Sequence, residues 1–361
     1  MSTETRSIIF AALCAATLAG ACDDDMETRV QPGPTEPVSE RSLVNNDLLL
    51  NSATLNGWSL NGFRTNGWSL NGWSLNNVQL VGSTFGGVKM VNGQEIPLFG
   101  EELIGAELSL SNGGQPFTLR FDNIFIDPAN PQGDVYFHSV SVLDPQTNTW
   151  SSLCRDTHGE PTEAIALRHH WNPTTGARIT DNLAVTLACR GAALAKCVEW
   201  GYRPWATVQS CTYYGGCTQV NLADHHQACT RMARADYCGD GVPHTLNNTP
   251  IDVYDRLSPR IQKLASADNK EWKVEAEWGP DGALCLGKQL RVDMFAQLGV
   301  SHAMPACRKA LTEVKDCGKF PASRAATSKL GNNYCPKWKT DPKACSLTLG
   351  DDDEDDDDND D

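Results

Sequence analysis

The central stretch of this 361-residue sequence is Arg234-Ala-Asp-Tyr-Cys238-Gly-Asp-Gly-Val-Pro-His-Thr245. It ends a short run, His225 to Ala235, whose composition is typical of a helix. The Gly-Asp-Gly after Cys238 supplies turn chemistry, and Pro243 prevents the helix from continuing. A cysteine held at the last turn of a helix by a tight loop is typical of a structural crosslink. We therefore expect the cysteine-rich part of the chain to be organised around Cys238.

The composition limits the class of protein. Hydrophobic residues make up 40% of the chain, which is enough for one sizeable core. The formal net charge is −15, but Asp351 to Asp361 hold ten of the acidic residues, so the rest of the chain carries −5. A nucleic-acid-binding protein needs a basic face, and we therefore expect no nucleic-acid partner. Residues 350–361 are expected to form a disordered acidic tail.

The N-terminus has the pattern of an export signal. Arg6 precedes an apolar run from Ile8 to Ala21, which is too short to span a membrane but matches the apolar part of a signal peptide. The run ends in Leu18-Ala-Gly-Ala-Cys22, which resembles the lipobox of bacterial lipoproteins, although Ala19 stands where that signal usually has leucine. The resemblance implies removal of residues 1–21 and a lipid on Cys22. The alternative is ordinary cleavage near Ala21, which would release a free secreted protein.

Two segments of unusual composition follow. Residues 22–50 contain Gln31-Pro-Gly-Pro-Thr-Glu-Pro37, which forms neither a helix nor a central strand, so we expect a tether. Residues 51–94 contain the repeat Leu-Asn-Gly-Trp-Ser, with five-residue steps that start at Leu55, Leu60, Thr65, Leu70 and Leu75. The period predicts a chain that turns at each Asn-Gly and points each leucine inward. It resembles the pentapeptide-repeat β-helix, and the alternative is a disordered linker.

The cysteines predict a disulfide framework. Of the fourteen, Cys14 lies in the signal and Cys22 at the lipid position. The remaining twelve are Cys154, Cys189, Cys197, Cys211, Cys217, Cys229, Cys238, Cys285, Cys307, Cys317, Cys335 and Cys345. An even set in an oxidising compartment indicates up to six bonds. No Cys-x-x-Cys spacing occurs, so neither a zinc site nor a thioredoxin-type motif is indicated, and we expect no metal or cofactor.

Local patterns place the secondary structure. Strand patterns occur at Phe117–Phe121, Val135–Leu143, Leu183–Cys189 and Trp272–Trp278. Helical patterns are short and occur at Ala192–Trp200, His225–Ala235 and Pro305–Val314. We therefore predict an α+β, β-rich, disulfide-stabilised single globular domain over residues 95–349, preceded by a short β-helix-like repeat.

A series of blocks resembles the ADYC-domain family of bacterial proteins, in the order of that family. The tetrapeptide Ala235-Asp-Tyr-Cys238 carries the signature. The other blocks are Cys189–Cys197, Trp200–Trp205, His226–Arg231, Asp236–Thr245, Thr249–Asp255 and Glu275–Asp281. Together they span residues 150–290. A lipoprotein signal and an Asn-Gly repeat are also familiar in this family, but the resemblance implies no known reaction, ligand or cofactor, and it assigns no functional residues.

The strongest catalytic candidates lie in the central stretch. Asp236, Asp240 and His244 recur at four-residue intervals. A carboxylate that orients a histidine is the general-base arrangement of many hydrolases, and such clusters also bind metals. In the structural alternative, both aspartates accept backbone N–H bonds in the turn and His244 packs beside Pro243. Neither a nucleophile elbow nor a zinc-binding helix motif is present in the chain.

These observations favour a non-catalytic binding or structural module of the bacterial cell envelope, in the periplasm or on the outer-membrane surface. We expect the module to bind the membrane through the lipid on Cys22. Envelope glycan or protein is the further expected partner. Trp58, Trp68 and Trp73 of the repeat provide a possible stacking face for glycans, although packing against the next domain is the favoured alternative. The alternative function is a secreted hydrolase or metal-dependent enzyme that uses the Asp236, Asp240 and His244 loop.

Overall fold

The fold is described from a computed structural model of the chain. The described residues are 43–46, 61–63, 67–71, 73–112, 115–156, 158–211, 216–245, 249–262, 273–297, 303–314, 317 and 326–330. All of them belong to one compact unit, Pro37–Asp361. The expected signal peptide, Cys22, Trp58, Cys335, Cys345 and the acidic tail lie outside the described residues.

The secondary structure consists mainly of strands. The described strands are β1 (Leu43–Asn46), β2 (Asn61–Phe63), β3 (Gly67–Leu70), β4 (Trp73–Val81), β5 (Thr84–Val91), β6 (Gln94–Phe99), β7 (Glu107–Asn112), β8 (Gln115–Ile126), β9 (Tyr136–Asp144), β10 (Thr149–Ser152), β11 (Cys154–Arg155), β12 (Pro161–Thr162), β13 (Ala164–Arg168), β14 (His170–Trp171), β15 (Arg178–Ile179), β16 (Val185–Cys189), β17 (Thr207–Cys211), β18 (Cys217–Asn221), β19 (Thr249–Asp255), β20 (Lys273–Gly279), β21 (Gly282–Leu286) and β22 (Ala326–Leu330). The described helices are α1 (Ala193–Glu199), α2 (Ala223–Arg234), α3 (Arg291–Gln297) and α4 (Arg308–Thr312), with a 3-10 helix at Gly100–Leu103.

The larger sheet contains eleven of the described strands, and its neighbouring strands are antiparallel. Ten of them follow the order β2-β16-β13-β9-β8-β7-β3-β4-β5-β6, and β10 pairs with β9. Strand β13 shows how this sheet is buried. Ala164 and Ala166 belong to one core cluster, whereas Ile165 and Leu167 belong to another. Because alternate residues of a strand face opposite sides, the sheet is covered on both faces here.

The smaller sheet has the order β1-β19-β22-β20-β21, and helix α2 packs on it. Met232 of α2 and Trp278 of β20 share a core cluster. Helix α1 packs instead on the larger sheet, where Leu194 is fully buried. The disulfide between Cys197 and Cys229 joins the two helices and therefore links the packing of the two sheets.

The local predictions of helices and strands agree with the structure. Each predicted strand has its counterpart in β8, β9, β16 or β20, and each predicted helix in α1, α2 or α4. The β-rich character with short helices is confirmed. None of these described helices combines the length and the apolar character that crossing a membrane requires.

The described part of the five-residue repeat forms antiparallel strands β3 to β5, so the expectation of a β-helix-like coil is wrong there. Its apolar positions are buried as predicted, namely Leu70, Leu75, Leu80 and Phe85. Residues five apart on a regular strand face opposite sides. A register shift in β4 around Asn77, whose φ is 51°, places both Leu75 and Leu80 in the core. The bulge therefore explains how residues five apart within β4 both reach the core of an antiparallel sheet.

Ten of the predicted framework cysteines are paired within the described residues. The bonds are Cys154–Cys189, Cys197–Cys229, Cys211–Cys217, Cys238–Cys307 and Cys285–Cys317. The bond from Cys238 spans 69 residues of sequence. A crosslink over so long a loop restricts the unfolded chain strongly, so it is expected to stabilise the fold by roughly 4 kcal/mol.

His138 lies in the core of the larger sheet. Its ring packs against Phe85 and Phe121, and its Nδ1 lies 3.3 Å from the carbonyl oxygen of Ala164. Its Nε2 is buried and has no hydrogen-bond partner among the described residues. Because burial disfavours the charged ring, the pKa of His138 falls from 6.5 to about 4.

This shift predicts that stability falls as the pH is lowered from 6.5 to about 4. In that window the unfolded chain binds a proton on His138 and the folded chain does not, so acid favours unfolding. His138→Phe removes this contribution, which is roughly 3 kcal/mol for a shift of this size. Chemical denaturation at a series of pH values should show a shallower decline for the variant than for the wild type. His158→Phe, at an exposed ring, is the control. Equal slopes for His138→Phe and wild type would contradict the prediction.

Candidate functional site

The candidate loop begins where helix α2 ends. Ala235 is the C-cap residue, has a φ of 51° and is fully buried. Its N–H donates to the carbonyl oxygen of Met232 at 3.0 Å, and the N–H of Asp236 donates to that of Arg231 at 2.9 Å. A left-handed residue at this position closes the helix and turns the chain away from its axis. The helix end predicted from the turn residues is confirmed.

Asp236 is fully buried, and its carboxylate closes the loop. It accepts a hydrogen bond from Nη1 of Arg231 at 2.5 Å and from the N–H of Gly241 at 3.1 Å. Arg231 also donates to the carbonyl oxygens of Thr175 and Pro280, so one guanidinium joins the loop to two other segments. Burial raises the pKa of Asp236, and the positive charge of Arg231 opposes this rise.

Tyr237 belongs to a second buried network. Its hydroxyl donates to Glu275 at 2.6 Å and accepts the backbone N–H of Arg291 at 3.2 Å. The guanidinium of Arg291 donates to both oxygens of Glu275, at 2.7 and 3.1 Å, and Ser328 donates to the same carboxylate at 2.6 Å. Burial raises the pKa of Tyr237 well above its ordinary value, and the neighbouring Glu275 adds to the rise. The hydroxyl therefore stays protonated and acts as a donor.

Two glycines let the loop pass directly against neighbouring backbone. Gly239 has a φ of +67°, and a Cβ added there would lie 1.8 Å from the carbonyl oxygen of Asp281. Gly241 has a φ of +85°, and an added Cβ would lie 1.9 Å from that of Thr174. Only glycine fits such positions without displacing the backbone. Cys238, just before the first glycine, forms its disulfide with Cys307, as expected for a crosslink at the helix end.

The two aspartates proposed as catalytic candidates lie in different surroundings. Asp236 is held in the buried ion pair with Arg231. Asp240 is exposed and accepts the backbone N–H of Val242 at 3.0 Å. Both therefore bind backbone N–H groups of the turn, which is the structural alternative drawn from the sequence.

His244 is 4% exposed. Its Nδ1 lies 3.0 Å from the carbonyl oxygen of Ala303, and its ring centre is 5.7 Å from that of Tyr237. Within the described residues, neither Asp236 nor Asp240 hydrogen-bonds to the His244 ring. The loop thus does not assemble the histidine–carboxylate pair that a general base of this kind requires.

One cluster of potential metal ligands occurs among the described residues. Ligand atoms of Glu277, Cys285 and Cys317 lie within 4.8 Å of one another. The two sulfurs form a disulfide, so they are not the thiolates that bind metal ions. Glu277 is also paired with Arg256. The cluster is therefore a crosslink beside an ion pair.

The sequence pattern of the ADYC domain matches residues 100–292, which is more than half of the chain. The chain belongs to the ADYC domain family. The match extends well upstream of the resemblance over residues 150–290, because it includes the larger-sheet strands from β7 to β16. No curated protein and no solved structure matches the chain.

The ADYC signature is explained by the buried loop. Ala235 caps the helix, Asp236 binds Arg231, Tyr237 binds Glu275 and Cys238 forms the crosslink. We refer to residues 231–241 together with their partners Glu275 and Arg291 as the latch. Each letter of the signature has a distinct contact in the latch.

Sequence reasoning missed two residues of the latch, Glu275 and Arg291. Glu275 lies in a strand that alternates apolar and charged residues, a pattern typical of a sheet with one face in water. The structure instead buries Glu275 and Glu277 completely. Arg291 begins helix α3, where a basic residue carries no local signal of burial. Glu275 lies in one of the blocks that carry the family resemblance, but Arg291 lies outside them, so no sequence signal indicated their pairing.

Gly239→Ala is expected to destabilise the protein much more than Gly133→Ala. Both glycines have nearly equal φ angles, +67° and +65°, but a Cβ at Gly133 meets nothing within 4 Å. The left-handed conformation costs each alanine about 1–2 kcal/mol. The clash with Asp281 adds at least about 2 kcal/mol for Gly239→Ala. Thermal and chemical unfolding measure the difference, and equal losses for the two variants would show that the loop does not need the close approach.

Proposed function

We propose that this ADYC-domain chain is a lipid-anchored protein of the bacterial cell envelope and that it acts as a non-catalytic binding or structural module. The structure of the latch is the observation that supports a non-catalytic role. Its polar side chains are engaged in hydrogen bonds and ion pairs within the fold, and the hydrogen bonds described for the candidate aspartates and for the His244 ring go to Arg231 or to backbone groups. A catalytic group needs access to a substrate and a partner that tunes its proton affinity.

The envelope location is supported by two independent features. The apolar run that ends at Cys22 has the composition of a lipoprotein signal. The five disulfides among the described residues fit an oxidising compartment, because the cytosol keeps most thiols reduced. In this proposal the part of residues 22–50 that precedes β1 acts as a tether that holds the domain away from the membrane, because Leu43–Asn46 belong to the smaller sheet. Envelope glycan or protein is the proposed partner.

Cys22→Ala is expected to move the protein from the membrane fraction to the soluble fraction. The lipid on this cysteine is the proposed anchor. Stable membrane binding requires more than one acyl chain, because a single chain binds only marginally. Fractionation of expressing cells, with incorporation of labelled palmitate, measures the change. Cys14→Ala is the matched control, since it alters a cysteine inside the signal and should leave fractionation unchanged. Continued membrane association and labelling of Cys22→Ala would overturn the anchor.

The exported protein is expected to contain no free thiol. The ten described framework cysteines are paired, and only Cys335 and Cys345 remain to form the sixth predicted bond. Alkylation of the denatured, unreduced chain followed by mass spectrometry tests this. Cys345→Ser should leave one alkylated position at Cys335, whereas Ser346→Ala should leave none. Two alkylated positions in the wild type, or disulfide-linked dimers, would contradict the pairing.

A further inference from the structure

A cleft of about 260 Å³ lies between segments that are distant in sequence. It is lined by the loop between β8 and β9, by the end of α1 and by Ile261 and Gln262 after β19. Pockets for drug-sized ligands typically measure about 300–1,000 Å³, so this cleft suits a smaller molecule or one unit of a larger one. None of the latch residues lines it. The cleft is therefore a binding-site candidate that is separate from the latch.

The loop between β8 and β9 has a defined shape, because its own polar groups hold it. The N–H of Asp127 donates to the carbonyl oxygen of Val135 at 2.9 Å and closes the loop at its base. Within the loop, Nδ2 of Asn130 donates to Asp134 at 2.9 Å, and Oδ1 of Asn130 accepts the N–H of Gln132 at 3.0 Å. A ligand that binds here does not have to order the loop, which lowers the entropic cost of binding.

Asp127 supplies a hydrogen-bond acceptor to the cleft. Its Oδ1 accepts the N–H of Ala129 at 2.9 Å, and the carboxylate pairs with no cation of the described chain. Its Oδ2 does not belong to the buried atoms without a partner, so this oxygen keeps contact with solvent. A carboxylate oxygen of this kind is available to a donor group of a ligand.

Hydrogen-bond donors lie in the same lining. Nη1 of Arg203 donates to Asp134 at 2.5 Å, and the other side-chain N–H groups of Arg203 have no partner among the described residues. The same holds for the amide of Gln132, which is exposed, and for Nε1 of Trp200, which is half-buried. Because Asp134 balances the charge of Arg203, these groups offer N–H donors without a net positive charge.

The mixture of acceptors and donors selects the chemistry of the ligand. A hydroxyl group both donates and accepts, whereas an ammonium group only donates and a carboxylate only accepts. An anion would also be repelled by the carboxylate of Asp127. The apolar part of the lining, which includes Val135, Val198 and Ile261, offers contacts to C–H groups. A compact ring that carries several hydroxyl groups meets all of these conditions.

We propose that this cleft binds one neutral sugar unit of an envelope glycan. Hydroxyl groups of the sugar donate to Asp127 and accept from Arg203 and Gln132. The C–H groups of the ring contact Trp200 and Val198. The inference rests on the binding part of the proposed function, for which it names the class of partner and the site, and it is independent of the lipid anchor.

Saturation-transfer NMR with the methyl glycosides of glucose, galactose, mannose and N-acetylglucosamine tests the proposal. The exported, oxidised full chain carries Cys22→Ala, so the outcome does not depend on lipidation. At least one glycoside should bind with a Kd of about 1 mM or tighter. Cyclohexanol, a ring with a single hydroxyl group, should bind at least about tenfold more weakly, because it cannot satisfy several polar groups of the lining at once.

Two variants with matched controls locate the binding. Gln132→Ala should weaken binding of the glycoside by about threefold or more, because it removes a donor that the fold itself does not use. Gln146→Ala is its control, at an exposed glutamine outside the lining. Asp127→Asn should weaken binding by about tenfold, because it removes a charged acceptor. Asp224→Asn is the control for this variant, since Asp224 lies on α2 outside the lining and its side chain is 55% exposed.

The exposed position of Gln132 keeps the test decisive if Asp127→Asn fails to fold. Binding of none of the four glycosides, or equal binding of cyclohexanol, would overturn the proposal. Unchanged affinity in Gln132→Ala and in folded Asp127→Asn would also overturn it, and the glycan-binding role would then belong to another surface. Hydrolysis of the bound glycoside would contradict the non-catalytic part of the proposed function, whereas weaker binding in the cleft variants would still support the sugar site.

Discussion

The Glu275 carboxylate is fully buried and is the point at which separate parts of the chain meet. It accepts hydrogen bonds from Tyr237 of the loop, from Arg291 at the start of α3 and from Ser328 of β22. Arg291 in turn donates to the carbonyl oxygen of Met232 near the end of α2. A buried carboxylate is tolerated only when its lone pairs are satisfied and its charge is compensated. Displacing the Tyr237 or Ser328 segment therefore leaves the buried carboxylate with an unmet hydrogen bond, and displacing Arg291 leaves its charge without a partner.

Specificity and stability come from different interactions in this fold. Desolvation offsets much of the attraction in a buried ion pair such as Arg231 with Asp236, so we expect its main effect to be on the arrangement of the chain. The disulfides contribute stability, at roughly 2–4 kcal/mol each. The bond between Cys197 and Cys229 also couples the helix on the larger sheet to the helix on the smaller one. The latch sets the geometry, and the crosslinks maintain it in an extracytoplasmic environment if export occurs as proposed.

The close packing of the latch explains why a recognisable signature need not mark a catalytic site. Gly239 and Gly241 bring the loop into contact with backbone at Asp281 and Thr174, where no side chain fits. Asp236 and Tyr237 have their polar groups turned toward internal partners.

The sequence by itself determined features that depend on neighbouring residues: four of the strands and three of the helices, the turn after Cys238, the inward leucines of the repeat and the even set of cysteines. Those follow from periodicity, backbone preference and redox chemistry, which act locally. Tertiary structure decided the rest. It placed the repeat in antiparallel strands with a bulge at Asn77, because pairing with β5 fixes the register. It buried Glu275 beside Arg291 and directed the His244 ring to the carbonyl oxygen of Ala303, because burial and charge pairing depend on residues far apart in the chain.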